Sequence, residues 1–278
     1  MSARGISKAS KPIVFLGAGR ITTALVAGLR ARAYRARIVV CDRNPAKLRQ
    51  LCRRYGVHAE SDPRCAAAQA GMLIVAVRPP DVLPLVAHNG APPRGATLVS
   101  LAAGVTLRSL ERALPAREPW IRAMPSPAVR TANGLTALAF SRGVPRAARR
   151  RVRELFELVG TVLEIPERGF DAFSVVYSTS QGYHALAARI RAARRIGLDA
   201  QTAFVAARHS LLDALRDVGE ISGKNTSALD QLIAAAATPG GLAAKTLEAQ
   251  RAAGYDRSIE RAFRAGLARA RTVARPKR

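Results

Sequence analysis

The stretch IVFLGAGRIT, residues 13–22, decides the fold of this chain. Its apolar beginning predicts a buried strand, and the glycines that follow predict a tight turn leading directly into a helix. In such a turn the first glycine permits the sharp bend, and the second lets a diphosphate approach the backbone at the amino end of the helix. Thr22 replaces the third glycine of the full GxGxxG pattern, so we expect slightly looser packing of helix on strand.

We interpret this turn as a dinucleotide-binding loop, because it lies between a strand and a helix close to the amino terminus. The alternative is an ordinary glycine turn that binds no ligand. The candidate cofactor-binding residues of the loop are Gly17, Ala18, Gly19, Arg20 and Ile21.

The end of the second predicted strand, residues 38–41, is where the adenosine ribose of a dinucleotide would lie. Asp42 and Arg43 follow this strand. A carboxylate here accepts a hydrogen bond from the ribose 2′-hydroxyl of NAD, whereas an arginine pairs with the 2′-phosphate of NADP. If Asp42 turns away to cap the helix that begins at Pro45, Arg43 is left for the phosphate. We therefore favour NADP(H), with NAD(H) as the alternative.

Short apolar runs alternate with helical patterns along residues 12–165. Continuous apolar strands separated by helices indicate a parallel sheet covered on both faces. We therefore predict an α/β fold that begins with a Rossmann domain, a doubly wound and mostly parallel sheet, over residues 1–165. The predicted strands are 13–16, 38–41, 73–77, 97–101, 121–124, 135–139 and 162–165.

Strand patterns disappear after residue 171, and we place the domain boundary at Pro166. Residues 166–278 are predicted to form an all-helical domain. Small apolar residues cover several faces of these helices. Such helices need more packing partners than a helix with a single apolar stripe does. We interpret the domain as a dimerisation domain; the alternative is a helical cap on its own Rossmann domain. The predicted helices are 174–196, 200–218, 227–237, 241–253 and 256–273.

The chain of 278 residues carries a formal charge of +26, mostly as arginine. Such a charge raises the possibility of nucleic-acid binding. The densest cluster comprises five arginines between Arg146 and Arg153, without interleaved aromatic residues. We favour a solvated basic surface over a patch that follows a phosphate backbone, and we predict no nucleic-acid partner.

Cys41, Cys52 and Cys65 are odd in number and form no CxxC pair, which favours a reducing compartment over a disulfide scaffold. The chain begins with a polar, basic stretch, and no apolar run of its N-terminal half is long enough to cross a bilayer. We therefore expect a cytoplasmic protein without a membrane partner. The histidines lack metal-ligand spacing, so no metal site is expected.

Several further motifs follow the glycine turn in a fixed order. They are Ala76-Val77-Arg78-Pro79, Ala102-Ala103-Gly104-Val105, Arg122-Ala123-Met124-Pro125, residues 160–164 and Thr238-Pro239-Gly240-Gly241. With these motifs the chain resembles the pyrroline-5-carboxylate reductase family from about Pro12 to Ala270.

The resemblance implies hydride transfer from NAD(P)H to the C=N carbon of a small cyclic imine carboxylate, most simply pyrroline-5-carboxylate, which becomes proline. The cofactor would provide the hydride, while the protein holds the imine carbon over the nicotinamide. Cofactor residues implied by the resemblance are Ala76, Val77, Arg78, Ala103 and Gly104. Substrate residues implied by it are Met124, Pro125, Ser180, Thr238, Gly240 and Gly241.

The turn at 238–241 also has a direct physical interpretation, because the N–H groups at the start of a helix bind anions. Its glycines would let a carboxylate approach, and the Thr238 hydroxyl would donate another hydrogen bond. The alternative is an ordinary loop between helices. His184 is our candidate proton donor, with a packed helix residue as its alternative role.

The chain departs from the family pattern at several substrate positions. Leu242 and Ala243 stand where the family usually has hydroxyl residues, and Gln181, Tyr183 and His184 are bulkier than its counterparts. Three alternatives to the proline-forming reaction therefore stay open. They are a diverged imine reductase with another substrate, a catalytically silent dinucleotide-binding protein, and an arginine-rich nucleic-acid binder.

Overall fold

A computed structural model describes residues 11–89, 92–114, 118–219 and 227–273. Its sheet has the strand order β3-β2-β1-β4-β5-β6-β7-β8, and all neighbours are parallel except β6 and β7. The order reverses between β1 and β4, which is the switch point of a doubly wound fold. The strands are β1 Ile13–Leu16, β2 Ile38–Cys41, β3 His58–Glu60, β4 Met72–Val75, β5 Thr97–Ser100, β6 Trp120–Pro125, β7 Gly134–Phe140 and β8 Gly160–Glu164.

Helices cover both faces of this sheet, so the predicted Rossmann arrangement is confirmed. One apolar core lies under α1, α2 and α6, and a second lies under α3, α4 and α5. Strands β1, β2, β4 and β5 are buried at every residue, which explains their uninterrupted apolar sequence. The helices are α1 Arg20–Ala31, α2 Pro45–Tyr55, α3 Pro63–Ala68, α4 Pro79–Asn89, α5 Leu107–Ala113, α6 Arg146–Glu157 and α7 Glu167–Val176, with a 3₁₀ helix at Pro127–Thr131.

Strand β3 and helix α3 are among the elements of the sheet region that were not predicted. Strand β3 is short and half-exposed, with the sequence His-Ala-Glu, so it lacks an apolar run. Helix α3 follows it and is only six residues long. Backbone pairing with β2 creates this strand, and pairing of that kind is not visible in the local pattern.

The remaining helices are α8 Thr179–Arg195, α9 Ala200–Asp217, α10 Ser227–Ala236, α11 Leu242–Ala252 and α12 Tyr255–Val273. The all-helical character predicted for this region is confirmed. The single helix predicted over 174–196 is wrong, because α7 ends at Val176 and α8 begins at Thr179. Ser178, the residue before α8, has extended backbone and interrupts the helical path.

The contacts of the chain define two compact units that divide after Tyr177, and the domain boundary at Pro166 stays a prediction. The first unit includes the sheet and also residues 265–273, and the second is Ser178–Arg264. Helix α7 belongs to the first unit because Phe170 is fully buried against Ala137 and Ala139 of β7. The strand-to-helix change at Pro166 thus precedes the division between the units.

Most arginines of the α6 cluster contact other residues of the chain. Arg149 lies 4.7 Å from the centre of the Phe140 ring, and Arg151 donates a 2.9 Å hydrogen bond to Thr97. Arg153 forms ion pairs with Glu157 and Glu164. The ion pairs of Arg153 offset part of the positive charge of this helix, and the contacts of Arg149 and Arg151 hold those side chains against the domain.

Gly28 lies where α1 crosses the 3₁₀ helix, and a Cβ there would overlap the carbonyl group of Val129. We expect Gly28→Ala to lower the free energy of unfolding by about 1–3 kcal/mol, the usual cost of overpacking. Gly169→Ala in α7 is the matched control, since a Cβ there meets nothing within 4 Å. The control should raise stability by about 0.4–1 kcal/mol. Urea unfolding measures both, and equal shifts would contradict the crossing argument.

Candidate active site

A cleft of about 650 Å³ opens at the carboxyl edge of the sheet, beside the ends of β1, β2 and β4. Ligands of open α/β sheets bind at this switch point. The cleft brings together a group of the predicted cofactor residues, namely Gly17, Gly19, Asp42, Arg43, Ala76, Val77 and Arg78.

The glycine turn is held between two neighbouring strand ends. The Gly17 N–H donates a 2.7 Å hydrogen bond to the Cys41 carbonyl, and the Ala76 N–H donates a 2.8 Å bond to the Leu16 carbonyl. Gly17 has φ +110°, and a Cβ there would lie 2.8 Å from the Ala76 oxygen. Both the backbone conformation and the space therefore require glycine at this position.

The residues after Gly17 leave the start of α1 open to an anion. Gly19 is the N-cap residue and has no side-chain cap, so the first N–H groups of α1, beginning at Arg20 and Ile21, are available to a diphosphate. Thr22 is fully buried and donates a 2.6 Å hydrogen bond to the Gly17 carbonyl. The Thr22 hydroxyl therefore binds the loop, while the looser packing of helix on strand stays a prediction.

Asp42 supports the loop instead of capping the next helix. Its carboxylate accepts the Ala18 N–H at 2.7 Å and the Asn44 N–H at 2.8 Å. Asn44 is the N-cap residue of α2 and accepts the N–H groups of Ala46 and Lys47. The proposed capping role of Asp42 is wrong, since Asp42 is occupied by the loop. Arg43 is exposed and forms no ion pair with another described residue.

Several residues that line the cleft were missed by sequence reasoning: Lys47, Ser61, Pro63, Pro84 and Leu85. Lys47 lies in the first turn of α2 and adds a second cation to Arg43. Its position after Pro45 was the one signal that could have identified it. Ser61 precedes α3, Pro63 begins it, and Pro84 and Leu85 belong to α4.

Other predicted residues lie farther along the same edge and do not line the 650 Å³ cleft. Ala103 and Gly104 follow β5, and Met124 and Pro125 end β6. Gly104 has φ +72°, and a Cβ there would overlap the backbone of Ala270 near the end of α12. Glycine is required at 104 for this packing, whether or not a cofactor approaches it.

A buried arginine holds the helices beside this part of the edge. Arg122 of β6 is 1% exposed and lies 4.2 Å from the centre of the Phe170 ring. It pairs with Asp171 at 2.6 Å and with Glu167 at 3.3 Å. Glu167 also accepts the Leu107 N–H at 2.6 Å. The network therefore joins β6 to the first turns of α5 and α7.

Residues 167–273 match the family "Pyrroline-5-carboxylate reductase dimerisation", and residues 12–104 match "NADP oxidoreductase coenzyme F420-dependent". The pyrroline-5-carboxylate reductase of Mycobacterium tuberculosis is 31% identical, over 92% of this chain and 95% of its own. This chain belongs to the pyrroline-5-carboxylate reductase family. The resemblance drawn from the motifs is thereby confirmed, and the chain is an oxidoreductase that uses a nicotinamide dinucleotide.

Solved structures of the family share the fold. The pyrroline carboxylate reductase of Plasmodium falciparum, crystallised with NADP bound, matches with a TM-score of 0.85 at 16% identity, over 96% of this chain and 100% of its own. The enzyme from Coxiella burnetii matches with a TM-score of 0.80 at 24% identity, over 97% and 100%. The α/β fold with a helical C-terminal region is therefore that of pyrroline-5-carboxylate reductases.

The other residues that this family resemblance suggested lie in the unit Ser178–Arg264. His184 is exposed on α8, and its side chain makes no hydrogen bond to another described residue. Ser180 shares a 2.7 Å hydrogen bond with Ser178. Their roles toward a substrate stay predictions.

The turn at 238–241 leads directly into α11, and its role toward an anion stays a prediction. The Gly241 N–H donates a 2.9 Å bond to the Thr238 carbonyl, and Gly240 has φ +75°. Gly241 caps α11 without a side-chain hydrogen bond, and Leu242 follows it with 92% exposure. The first N–H groups of α11 therefore have no side-chain partner at the cap.

The described residues contain no group of three or more His, Cys, Asp or Glu side chains able to hold a metal ion. Within the same residues, no helix combines the length and apolarity that crossing a membrane requires.

Burial raises the pKa of the Cys41 thiol to about 11, with smaller contributions from the carboxylates of Glu60, Asp42 and Asp62. Since the thiolate is the reactive form, Cys41 should resist iodoacetamide at pH 8, although it lines the cleft. Exposed Cys65 should react first, even though Asp62 raises its pKa as well. Peptide mass spectrometry measures both sites. Modification of Cys41 before Cys65 would contradict this assignment.

Proposed function

We propose that this protein reduces the C=N bond of a small cyclic imine carboxylate with NADPH, and that pyrroline-5-carboxylate, giving proline, is its first substrate to test. The observation that carries the proposal is the glycine turn at the switch point, in a chain of this family. When bound, the reduced nicotinamide supplies the hydride.

A dinucleotide bound at this switch point has its adenosine half on one side of the cleft and its nicotinamide half on the other. The N–H groups at the start of α1 bind the diphosphate, next to the turn from Gly17 to Gly19. Arg43 and Lys47 lie on the β2 side and pair with the ribose 2′-phosphate, which supports NADPH over NADH. The nicotinamide half then extends in the other direction, toward the ends of β5 and β6.

Two groups of residues, each considered by itself, are the candidates for substrate contacts. Met124 and Pro125 end β6 at the edge toward which the nicotinamide extends. The turn Thr238–Gly241, together with Ser180, provides donors for a carboxylate. Leu242 and Ala243 provide no hydroxyl there, and this favours a diverged imine reductase with another substrate as the second candidate.

We further propose that the protein works as a homodimer in the reducing cytoplasm. The unit Ser178–Arg264 exposes many large apolar side chains, which include Phe204, Val205, Leu215, Leu229, Leu232, Ile233 and Leu242. Apolar surface of this extent is typical of a protein interface. The unpaired cysteines support a reducing compartment.

The first prediction for this function concerns cofactor uptake. Gly17→Ala should abolish NADPH binding, because the added Cβ meets the Ala76 carbonyl at a φ that L residues rarely adopt. Gly56→Ala is the control: it also has positive φ, but nothing lies within 4 Å of its Cβ. Direct titration of each variant, followed by NADPH oxidation with pyrroline-5-carboxylate, measures the effect. A wild-type protein that takes up neither NADPH nor NADH would overturn the proposal.

The second prediction concerns NADP preference. Arg43→Glu should lower NADPH affinity by about tenfold to a hundredfold, the value of a lost charge-assisted hydrogen bond, and should change NADH affinity little. Arg49→Glu makes the same charge change at an exposed position of α2 outside the cleft. Equal losses for both cofactors at Arg43 would exclude a 2′-phosphate contact.

The third prediction concerns the carboxylate site. Thr238→Val should raise the KM for the imine by about tenfold to a hundredfold through loss of one donor, with cofactor binding unchanged. Thr246→Val is the control, since that hydroxyl bonds only the Leu242 carbonyl of its own helix. An unchanged KM for Thr238→Val would place the carboxylate elsewhere.

A further inference from the structure

Tyr177 is the C-cap residue of α7, and its hydroxyl is held by a backbone group of β7. The backbone N–H of Leu135 donates a 2.9 Å hydrogen bond to Tyr177 Oη. A backbone N–H only donates, so the phenol oxygen is the acceptor and keeps its own proton to donate. In the part of the chain that the structure describes, no group accepts that proton.

The phenol lies at the same edge of the sheet as the cleft. Leu135 is near the start of β7, which is antiparallel to β6, with Pro125 opposite Thr136. The Ser126 N–H donates to the Leu135 carbonyl, so the residue that holds Tyr177 is bonded to the end of β6. With strands about 4.8 Å apart, β6 is about 10 Å from β4 along this edge.

Helix α7 fixes the direction of the phenol. Phe170, Phe173 and Tyr177 recur at helical spacing, and the Phe173 and Tyr177 rings are 5.1 Å apart. Phe170 is buried against β7, and half-buried Met124 packs on the same cluster. The ring is therefore oriented before any substrate binds, and it lies beside Phe173, which packs on the same cluster as Met124.

We propose that Tyr177 donates the proton to the imine nitrogen, an inference that rests on the function proposed above. As the C=N π bond breaks, the carbon gains hydride from the reduced nicotinamide, and the nitrogen takes the phenol proton. The products are the cyclic amine, the oxidised cofactor and a tyrosinate. The Leu135 N–H stabilises that tyrosinate, and water returns its proton. Tyr177 thus replaces exposed His184 as the proton donor.

The test compares a neutral cyclic imine with the N-methyl iminium of the same ring, whose nitrogen carries a permanent charge and needs no proton. For Tyr177→Phe, kcat/KM with the neutral imine should fall roughly a hundredfold or more, the usual contribution of a general acid. Its kcat/KM with the iminium should change little. NADPH affinity, titrated directly, should be that of the wild type. The wild type should reduce both substrates.

The ratio of the two rates is taken on one preparation, so partial misfolding lowers both rates and leaves the ratio unchanged. Tyr177→Met, without a hydroxyl, should show the same change in ratio. Tyr55→Phe is the matched control, because it removes a phenol at the end of α2, at the opposite edge of the sheet, and should leave the ratio unchanged.

The outcomes separate the two proposals. Equal losses with the imine and the iminium for Tyr177→Phe would overturn the assignment of Tyr177 and leave the proposed function standing. A wild type that reduces the imine but not the iminium would also contradict the assignment. The two substrates would then differ in something other than their need for a proton. A wild type that reduces neither, while binding NADPH, would overturn the proposed function itself.

Discussion

The close approach of two backbones, at Gly17 and Ala76, is the constraint on which the rest of this structure depends. The turn after β1 passes so near the Ala76 carbonyl that a Cβ would lie 2.8 Å from its oxygen. This approach aligns the ends of β1 and β4, and it directs the start of α1 into the opening between them. Because Gly19 has no side chain to cap α1, the helix N–H groups and dipole serve an anion. The neighbouring contacts of Asp42 and Thr22 support the same turn.

Different kinds of residue occupy different parts of the carboxyl edge, and this arrangement suits an extended cofactor. Cations lie on the β2 side, where Arg43 and Lys47 face the cleft. Beyond β5 the edge is apolar and aromatic, and buried Arg122 holds α5 and α7 against β6. A buried ion pair gains little net stability, since desolvation offsets attraction, but it defines how these elements pack. The phenol of Tyr177 lies in this part of the molecule, beside the ring of Phe173.

Prediction succeeded where local pattern and local structure coincide. The apolar run 13–16 followed by glycines, and the proline that begins α2, gave elements whose bounds match the structure. It failed at β3, whose strand conformation comes from pairing with β2 and not from an apolar run. Prediction also misassigned Asp42. A carboxylate after a strand can cap the next helix or bind a neighbouring loop, and the local sequence is the same in both cases. In the structure Asn44 caps α2, and Asp42 binds the glycine loop.

The sequence by itself determined the family, most of the strands and the glycine turn, because each of these is encoded in motifs of residues that are close together in the chain. Only the tertiary structure decided which side chains share the carboxyl edge. Lys47 joined Arg43 through the path of α2, and Gly104 proved to be required by the end of α12. Tyr177 met Leu135 through a hydrogen bond across 42 positions of sequence. Contacts of this kind follow from packing α7 against β7, and no pattern of neighbouring residues specifies them.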